Sequence, residues 1–431
     1  MTTFSELGVS PDLSSRLRQL EIELPTNVQI ESLPALIAGR DLLVQAPTGS
    51  GKTLAFLLPA IERARAGRGL GTRVLVLTPT RELAMQVESV FTSLESGIPC
   101  ALLYGGVGYF SQERQLAAGA TVVVGTPGRV LDLVERRKLS LARIEYLVLD
   151  EADEMLDIGF APQVEKIMGL TWHPQTVLAS ATMPDWVRKV VRSEMHEPVE
   201  VRVEDLAEDT TLEHARVVVD QRQRVDSLIG LLRAVDAPTI VFGRTKQGVA
   251  NLCRELNRRR VRCSQLQGDM RQVERDRVMK AFRAGQTRVL IATNVAARGL
   301  DVSQVDLVVN YELPDSPDAL THRIGRTARA GRKGRAVTIT SHHDAERWRR
   351  LRAQGAPELP ELDAQSLITG RWEYAGERRA EILQPSAPAK AAREGAPPRT
   401  RRRRRRSASG RSGYLLPIAV DDAPAVEVVG G

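Results

Sequence analysis

The sequence predicts an α/β fold. Two tandem domains, each a mainly parallel sheet flanked by helices, are expected ahead of a disordered basic C-terminal tail. Three observations carry this. Short apolar runs alternate with helical stretches in two successive series. A glycine-rich turn ending in Gly51-Lys52-Thr53 joins an apolar run to a helical one. The positive charge is gathered near the C-terminus.

The elements follow in order. Ser10-Pro11-Asp12, with Leu13, Leu17 and Leu20 behind it, predicts a capped amphipathic helix. Pro25-Thr26 opens a second helix, with Val28, Leu33, Leu36 and Ile37 on its apolar side. The first strand series is Leu42–Val44, Val74–Leu77, Leu102–Tyr104, Val122–Val124, Leu147–Leu149 and Val177–Ala179. Near-continuous apolar runs of this length suit a parallel sheet covered on both faces. Residues 204–213 are polar and acidic and read as a linker. The second series is Arg216–Val219, Thr239–Phe242, Val289–Ala292, Leu307–Asn310 and Val337–Thr340. Its spacing suggests a duplicated architecture. The pattern fades past about residue 345. The expected organisation is therefore an N-terminal region (1–32), a first domain (33–203), a linker (204–213), a second domain (214–360) and a tail (361–431).

Composition narrows the function classes. The chain of 431 residues is 42% hydrophobic but only 4% aromatic, which suits domains built on Val, Leu, Ala and Ile. No run of about 18 apolar residues exists, so no membrane span is expected. The N-terminus lacks the basic start and apolar core of a signal peptide. Cys100, Cys253 and Cys263 have no metal-ligand spacing, and so sparse a set fits a reducing cytoplasm. They read as small buried hydrophobes. Between Arg378 and Ser412, 11 Arg and one Lys stand against two Glu, a net +10. Asp421, Asp422 and Glu427 then subtract three, so residues 1–377 hold only +1 of the total of +8. Such a tail, with Arg401 to Arg406 unbroken, suggests a polyanionic partner. It has too little apolar surface to offset its ordering entropy.

The turn Ala46-Pro47-Thr48-Gly49-Ser50-Gly51-Lys52-Thr53 reads as a phosphate cradle. Glycines let backbone N–H groups face an anion, and the following helix N-terminus adds a favourable field. Lys52 is placed to reach the β/γ-phosphates and Thr53 to hold Mg²⁺. The usual pattern opens with Gly, where this chain has Ala46. Asp150-Glu151-Ala152-Asp153 follows the apolar run Tyr146-Leu147-Val148-Leu149. An acid at a strand end beside a phosphate cradle is how P-loop enzymes hold Mg²⁺. Asp150 is the expected metal ligand, and Glu151 is placed to orient or deprotonate a water.

Together these motifs resemble the DEAD-box family of ATP-dependent RNA helicases, in its bacterial type. The likeness spans roughly residues 4–345, and further motifs keep the family's order. They are Pro79-Thr80-Arg81-Glu82-Leu83-Ala84-Met85-Gln86, Gly105-Gly106, Thr126-Pro127-Gly128-Arg129 and Ser180-Ala181-Thr182. The second series adds Gln272 with Arg275, the run Ala292 to Asp301, and the run His322 to Arg329. The resemblance implies two RecA-like domains and RNA-stimulated ATP hydrolysis coupled to local duplex unwinding or RNA–protein remodelling. It implies that Gln29 reads adenine and that Phe4 packs on the base, with a core staple as the alternative for Phe4. Gly299 and Asp301 would meet the ribose or phosphates. Arg326 and Arg329, three apart on a helix face, would be arginine fingers. Thr80, Arg81, Gly105, Gly106, Thr126, Pro127, Gly128, Arg129, Arg244, Thr245 and Thr293 would grip the RNA backbone with little sequence preference. Asp153, Ser180, Thr182 and His322 would couple hydrolysis to RNA grip. ATP and Mg²⁺ are the implied cofactors, and the tail would add RNA affinity. Three positions depart from the pattern. Glu21-Ile22 replaces a Gly-aromatic pair, Gln267 replaces a His, and Asn294 replaces an Asp. A DNA-directed enzyme and a non-catalytic RNA clamp are the rival classes.

Overall fold

The computed structural model describes residues 2–46, 49–67, 71–203, 212–297, 305–328, 333–369, 371–372 and 374, without the side chain of Val295. Pro47, Thr48, Gly299, Asp301, Arg329, residues 204–211 and the tail from 375 lie outside the described residues.

Two seven-stranded parallel sheets organise the chain. The first holds β1 (Leu42–Gln45), β2 (Val74–Leu77), β3 (Cys100–Leu103), β4 (Val122–Gly125), β5 (Tyr146–Leu149), β6 (Gln175–Ser180) and β7 (Val199–Arg202). The second holds β8 (Leu212–Val218), β9 (Thr239–Gly243), β10 (Cys263–Leu266), β11 (Val289–Thr293), β12 (Leu307–Asn310), β13 (Gly334–Thr340) and β14 (Glu361–Leu362). The first order is β3-β4-β2-β5-β6-β1-β7 and the second is β10-β11-β9-β12-β13-β8-β14. Each strand of the second sheet occupies the place of the strand seven earlier. The suspected duplication is therefore a duplication of topology.

The apolar runs form strands because helices cover both faces. Val74, Leu75, Val76 and Leu77 are fully buried, and their side chains alternate between two separate cores. Val44, Val74, Val76 and Val148 face one core, and Leu43, Leu75, Leu77 and Leu147 face the other. Burying such a side chain contributes about 1.5–3 kcal/mol.

The elements missed in the sequence are edge strands. β7 reads Val-Glu-Val-Arg and β10 reads Cys-Ser-Gln-Leu, each with polar residues among the apolar ones. A strand with one solvated side lacks the continuous apolar signature. Two boundaries also move. β8 begins at Leu212, inside the expected linker, and pairs with β13 along its whole length. Structure also continues beyond residue 345, and beyond the boundary at 360. The helix Ala345–Ala353 precedes β14, and the helix Ala364–Ile368 buries Leu367 in a core of the second domain. Tyr374 reaches the same core and bridges to Leu362. Gly355, Pro357 and Pro360 interrupt the periodicity there, so the sequence reads as irregular.

His214 on β8 ties pH to stability. Burial pushes its imidazole down to about 4, and its Nε2 lies 3.1 Å from the Thr338 hydroxyl on β13. In the unfolded chain the same group titrates near 6.5. The unfolded state therefore binds the extra proton between those values. Stability is full above about pH 6.5 and falls by up to about 3 kcal/mol as pH drops toward 4. Chemical denaturation of His214→Gln at pH 7 and pH 4.5 is expected to show a smaller loss than the parent protein.

Candidate functional site

Strand order explains which motifs meet. The phosphate loop follows β1, the acidic cluster follows β5 and Ser180-Ala181-Thr182 closes β6. These strands are neighbours in the order β5-β6-β1, so their carboxyl ends bring the three motifs to one edge. Thr80-Arg81 follows β2, Gly105-Gly106 follows β3 and Thr126 follows β4. Those strands form the other half of the sheet, β3-β4-β2. The fold thus separates two groups of loops, both at carboxyl ends where α/β proteins bind ligands.

In the first group, Gly51 precedes the helix Lys52–Ala66 with φ +97°, a left-handed conformation. A Cβ there would lie 2.7 Å from the Gln29 amide nitrogen and 2.8 Å from the Thr26 hydroxyl, so only glycine fits. The Gln29 side chain explains the crowding. Its Nε2 donates to Gly51 O at 3.0 Å, and its Oε1 accepts from Thr26 N at 2.9 Å. Gln29 therefore clamps the phosphate loop to the start of its own helix, Asn27–Ile37. The buried Lys52 ammonium donates to Ala46 O at 2.5 Å. The Ser50 hydroxyl is buried without a hydrogen-bond partner. Thr53 stands on the first helical turn, beside Lys52.

The acidic cluster is strained and desolvated. Asp150 is buried, and both burial and the adjacent Glu151 charge raise its carboxyl well above the usual range, with Lys52 opposing. Glu151 has φ +54°, rare for a residue with a side chain, and one of its carboxylate oxygens is buried without a partner. Such strain costs about 1–3 kcal/mol and gathers at functional sites. A crowded set of buried carboxylates with an orphaned oxygen suits a hard divalent cation.

Asp153 organises the next layer. Its Oδ2 accepts from Thr182 N and Thr182 Oγ1, both at 2.8 Å. Ser180 donates to Thr182 O at 2.6 Å. His322, on the helix Pro317–Ile324 after β12, comes within 3.8 Å of both Asp153 and Glu154. The four residues expected to act as a coupling set are thus together, across the two sheets. Lys52, Glu151, Asp153, Ser180 and His322 line one pocket.

The second group forms a cleft of about 450 Å³. Thr80, Arg81, Gly105, Thr126, Gly128 and Arg129 line it from the first domain, and Gly268, Arg275 and Ala296 from the second. Gly106 and Pro127 adjoin it in sequence. Thr80 caps its helix by accepting from Leu83 N at 3.3 Å. Arg129 donates to Val107 O at 3.0 Å and lies over the Tyr109 ring at 4.3 Å. In the second domain, Arg244-Thr245 follows β9 and Thr293 ends β11, in the half equivalent to β3-β4-β2. Thr245 caps the helix Lys246–Arg258 through Gly248 N at 3.0 Å. Arg244 lines a different hollow, beside Asp315 and Arg347.

Two readings change. Phe4 is only 3% exposed and packs in the first core with Val9, Leu13 and Leu17. It is the staple, not a free face for a base, because covering those leucines buries more apolar surface. Arg326 is not on a helix: Pro317–Ile324 stops at Gly325, and Arg326 is buried in the turn beyond. Arg326 lines a small cavity with Glu154, Asn294 and His322.

The departures have local explanations. Glu21 takes φ +61°, the conformation that glycine adopts without strain. Asn294 Oδ1 accepts from Arg323 Nε at 2.5 Å, so the amide keeps an acceptor where an aspartate would also have brought charge. Gln267 accepts from Asp269 N at 2.9 Å.

The contacts that sequence reasoning missed join the domains. Arg275 donates to Glu82 Oε1 through Nε at 2.9 Å and Nη2 at 2.5 Å. Arg81 donates to Gln272 at 3.0 Å. Both motifs were visible; the opposite charges of Glu82 and Arg275 were the unused signal that they pair.

Paired sheets of identical order, a phosphate loop and facing acidic and basic edges define a tandem RecA-like protein. The chain belongs to the DEAD/DEAH box helicase family. Residues 26–190 match the DEAD/DEAH box helicase model, and residues 221–331 match the helicase conserved C-terminal domain. The chain is 40% identical over 360 residues to DEAD-box ATP-dependent RNA helicase 14 of Arabidopsis thaliana, covering 80% of this chain and 58% of that protein. It is 38% identical over 377 residues to DEAD-box ATP-dependent RNA helicase CshA of Bacillus cereus, covering 85% and 71%. The structure of S. cerevisiae Dbp5 bound to RNA and ADP BeF3 matches with a TM-score of 0.76 at 31% identity, over 85% of this chain and 97% of that one. The chain spans about three fifths of the length of the plant relatives it matches.

Proposed function

We propose that this protein is an ATP-dependent RNA helicase. It couples RNA-stimulated ATP hydrolysis to local duplex unwinding or RNA–protein remodelling. One observation carries the reading most: His322 of the second domain meets Asp153 and Glu154 of the first, beside Lys52 and Glu151. Catalytic machinery completed from both domains makes turnover depend on their closure.

The roles follow from the chemistry. Gln29 holds the loop that surrounds the phosphates and offers its amide near the adenine edge. Gly49, Ser50 and Gly51 present loop groups to the nucleotide, and Ala46, Pro47 and Thr48 join them in contacting it. Lys52 exchanges its contact with Ala46 for the β/γ-phosphates. Thr53 and Asp150 would hold Mg²⁺, which neutralises phosphate charge when bound. Glu151 takes the proton of the attacking water. Arg326 and Arg329 stabilise the developing charge from the second domain, where Gly299 and Asp301 meet the ribose or phosphates. The hydroxyls and guanidiniums of Thr80, Arg81, Thr126, Arg129, Arg244, Thr245 and Thr293, with the backbone at Gly105, Gly106, Pro127 and Gly128, hold RNA phosphates and carry no base information. ATP and RNA each favour closure, so their binding is mutually cooperative. Among the described residues no helix is long and apolar enough to cross a membrane. The three free cysteines suit the cytoplasm, the proposed site of action.

The test measures ATP turnover alone, with RNA and with single-stranded DNA. RNA is expected to stimulate and DNA to fail, since the 2′-OH distinguishes them. Lys52→Ala is expected to abolish turnover. Equal stimulation by DNA, or turnover that survives Lys52→Ala, would overturn the reading.

The Arg-rich tail adds RNA affinity in this reading. Removing residues 378–431 spares Tyr374 and Leu362, so the domains are expected to stay folded. Each phosphate neutralised on a single strand contributes about −0.7 to the slope of log K against log salt. If roughly five arginines engage, truncation reduces the magnitude of the slope by about 3–4. A salt titration of both proteins checks this, and equal slopes would remove the tail from RNA binding.

A further inference from the structure

Cys253 and Cys263, which sequence spacing left as ordinary core residues, face each other. Cys253 lies on the helix Lys246–Arg258 and Cys263 opens the edge strand β10. Their sulfurs are 3.3 Å apart and both are free thiols. Asn257 holds the pair in place. Its amide donates to Cys253 O at 3.0 Å and to Cys263 O at 3.3 Å, and its oxygen accepts from Cys263 N at 3.3 Å. Cys253 is buried and Cys263 is half-buried.

We propose that Cys253 and Cys263 are a redox modification site, a dithiol that a peroxide closes to an intramolecular disulfide. Two sulfurs in contact need to approach by only about 1.2 Å to reach the bond length of about 2.05 Å. A hydrogen bond from Cys263 also holds the Cys253 thiol below its ordinary range, which favours the reactive thiolate. Among the described residues no third His, Cys, Asp or Glu joins the pair in a group that could hold a metal ion. Cys100 lies apart from the pair, on β3, and supplies an internal control.

The step balances. A thiolate of the pair attacks one peroxide oxygen, the O–O bond breaks, and hydroxide leaves as a sulfenic acid forms. The second sulfur attacks the sulfenic sulfur, the S–O bond breaks, and its oxygen departs as water. The two thiol protons complete the two waters. The pair loses two electrons and the peroxide gains them. The new bond would pin the helix behind Thr245 to the strand that leads into Gly268, on the rim of the inter-domain cleft.

The full chain is treated with hydrogen peroxide at a dose that oxidises free cysteine, then denatured for thiol titration and digested with trypsin. Two of the three thiols are expected to disappear, with a mass loss of two hydrogens. A cross-linked peptide joining 247–254 to 263–271 should appear and should vanish after dithiothreitol. Cys253→Ser and Cys263→Ser should each abolish the cross-link, and Cys100→Ser should leave it. Three surviving thiols, a sulfinic product without the cross-link, or a bond only between two copies of the chain would overturn the proposal. The peptide map of the unaltered protein gives the answer even if a serine variant fails to fold.

Discussion

Glu151→Gln is expected to abolish ATP turnover while leaving ATP binding intact, and to trap a long-lived complex with ATP and RNA. The amide keeps the size of the carboxylate but cannot accept the water's proton. The backbone at Glu151 is held in a left-handed conformation, so the side chain is aimed by the chain itself and not by a partner. Its orphaned oxygen is available for a water or cation. General-base catalysis contributes about 10²–10⁴ in rate. A steady-state ATPase assay, with nucleotide and RNA binding measured in parallel, checks the result. Turnover near the parent rate would mean that another group activates the water. Weakened ATP binding would mean that Glu151 holds the site together and does not serve the chemical step alone.

Much of this site was legible because its motifs sit at strand ends. An apolar strand followed at once by Asp150-Glu151 or Gly51-Lys52-Thr53 leaves little freedom in where the polar residues emerge. Sequence order alone did not say which strands are neighbours, so it did not divide the loops into a nucleotide group and a cleft group. The strand order β5-β6-β1 against β3-β4-β2 does that, and its repeat in the second sheet extends the division to Arg244, Thr293 and His322. The pairings across the domains were hidden for a related reason. Arg275 and Glu82 are 193 residues apart, and only the closed arrangement makes them an ion pair. Phe4 shows a further limit. An aromatic near a binding motif has the same sequence signature whether it stacks on a base or fills a core. The neighbouring leucines decide for the core. The Cys253–Cys263 pair was illegible by spacing, because a turn brings residue 263 back along the helix that carries 253.

Arg326→Ala is expected to cut turnover by about 10³–10⁵, the contribution of an arginine finger to phosphoryl transfer. That corresponds to about 4–7 kcal/mol of barrier. The turn after the helix Pro317–Ile324 brings Arg326 into the cavity that Glu154 and His322 also line, so its charge stands at the domain junction. A guanidinium already withdrawn from water costs little further reorganisation when phosphate charge develops, and its field is poorly screened there. Ground-state ATP affinity is expected to change little, because most contacts to the nucleotide come from the first domain in this scheme. Arg326 is buried, so the melting temperature of the variant is measured first to separate a folding defect from a catalytic one. Arg326→Lys keeps the charge but loses the forked geometry, and is expected to restore only part of the rate. Single-turnover hydrolysis with RNA present then isolates the chemical step. A fall of less than about tenfold in Arg326→Ala, in a protein that melts like its parent, would remove this residue from the transition state. The charge would then have to come from elsewhere in the second domain.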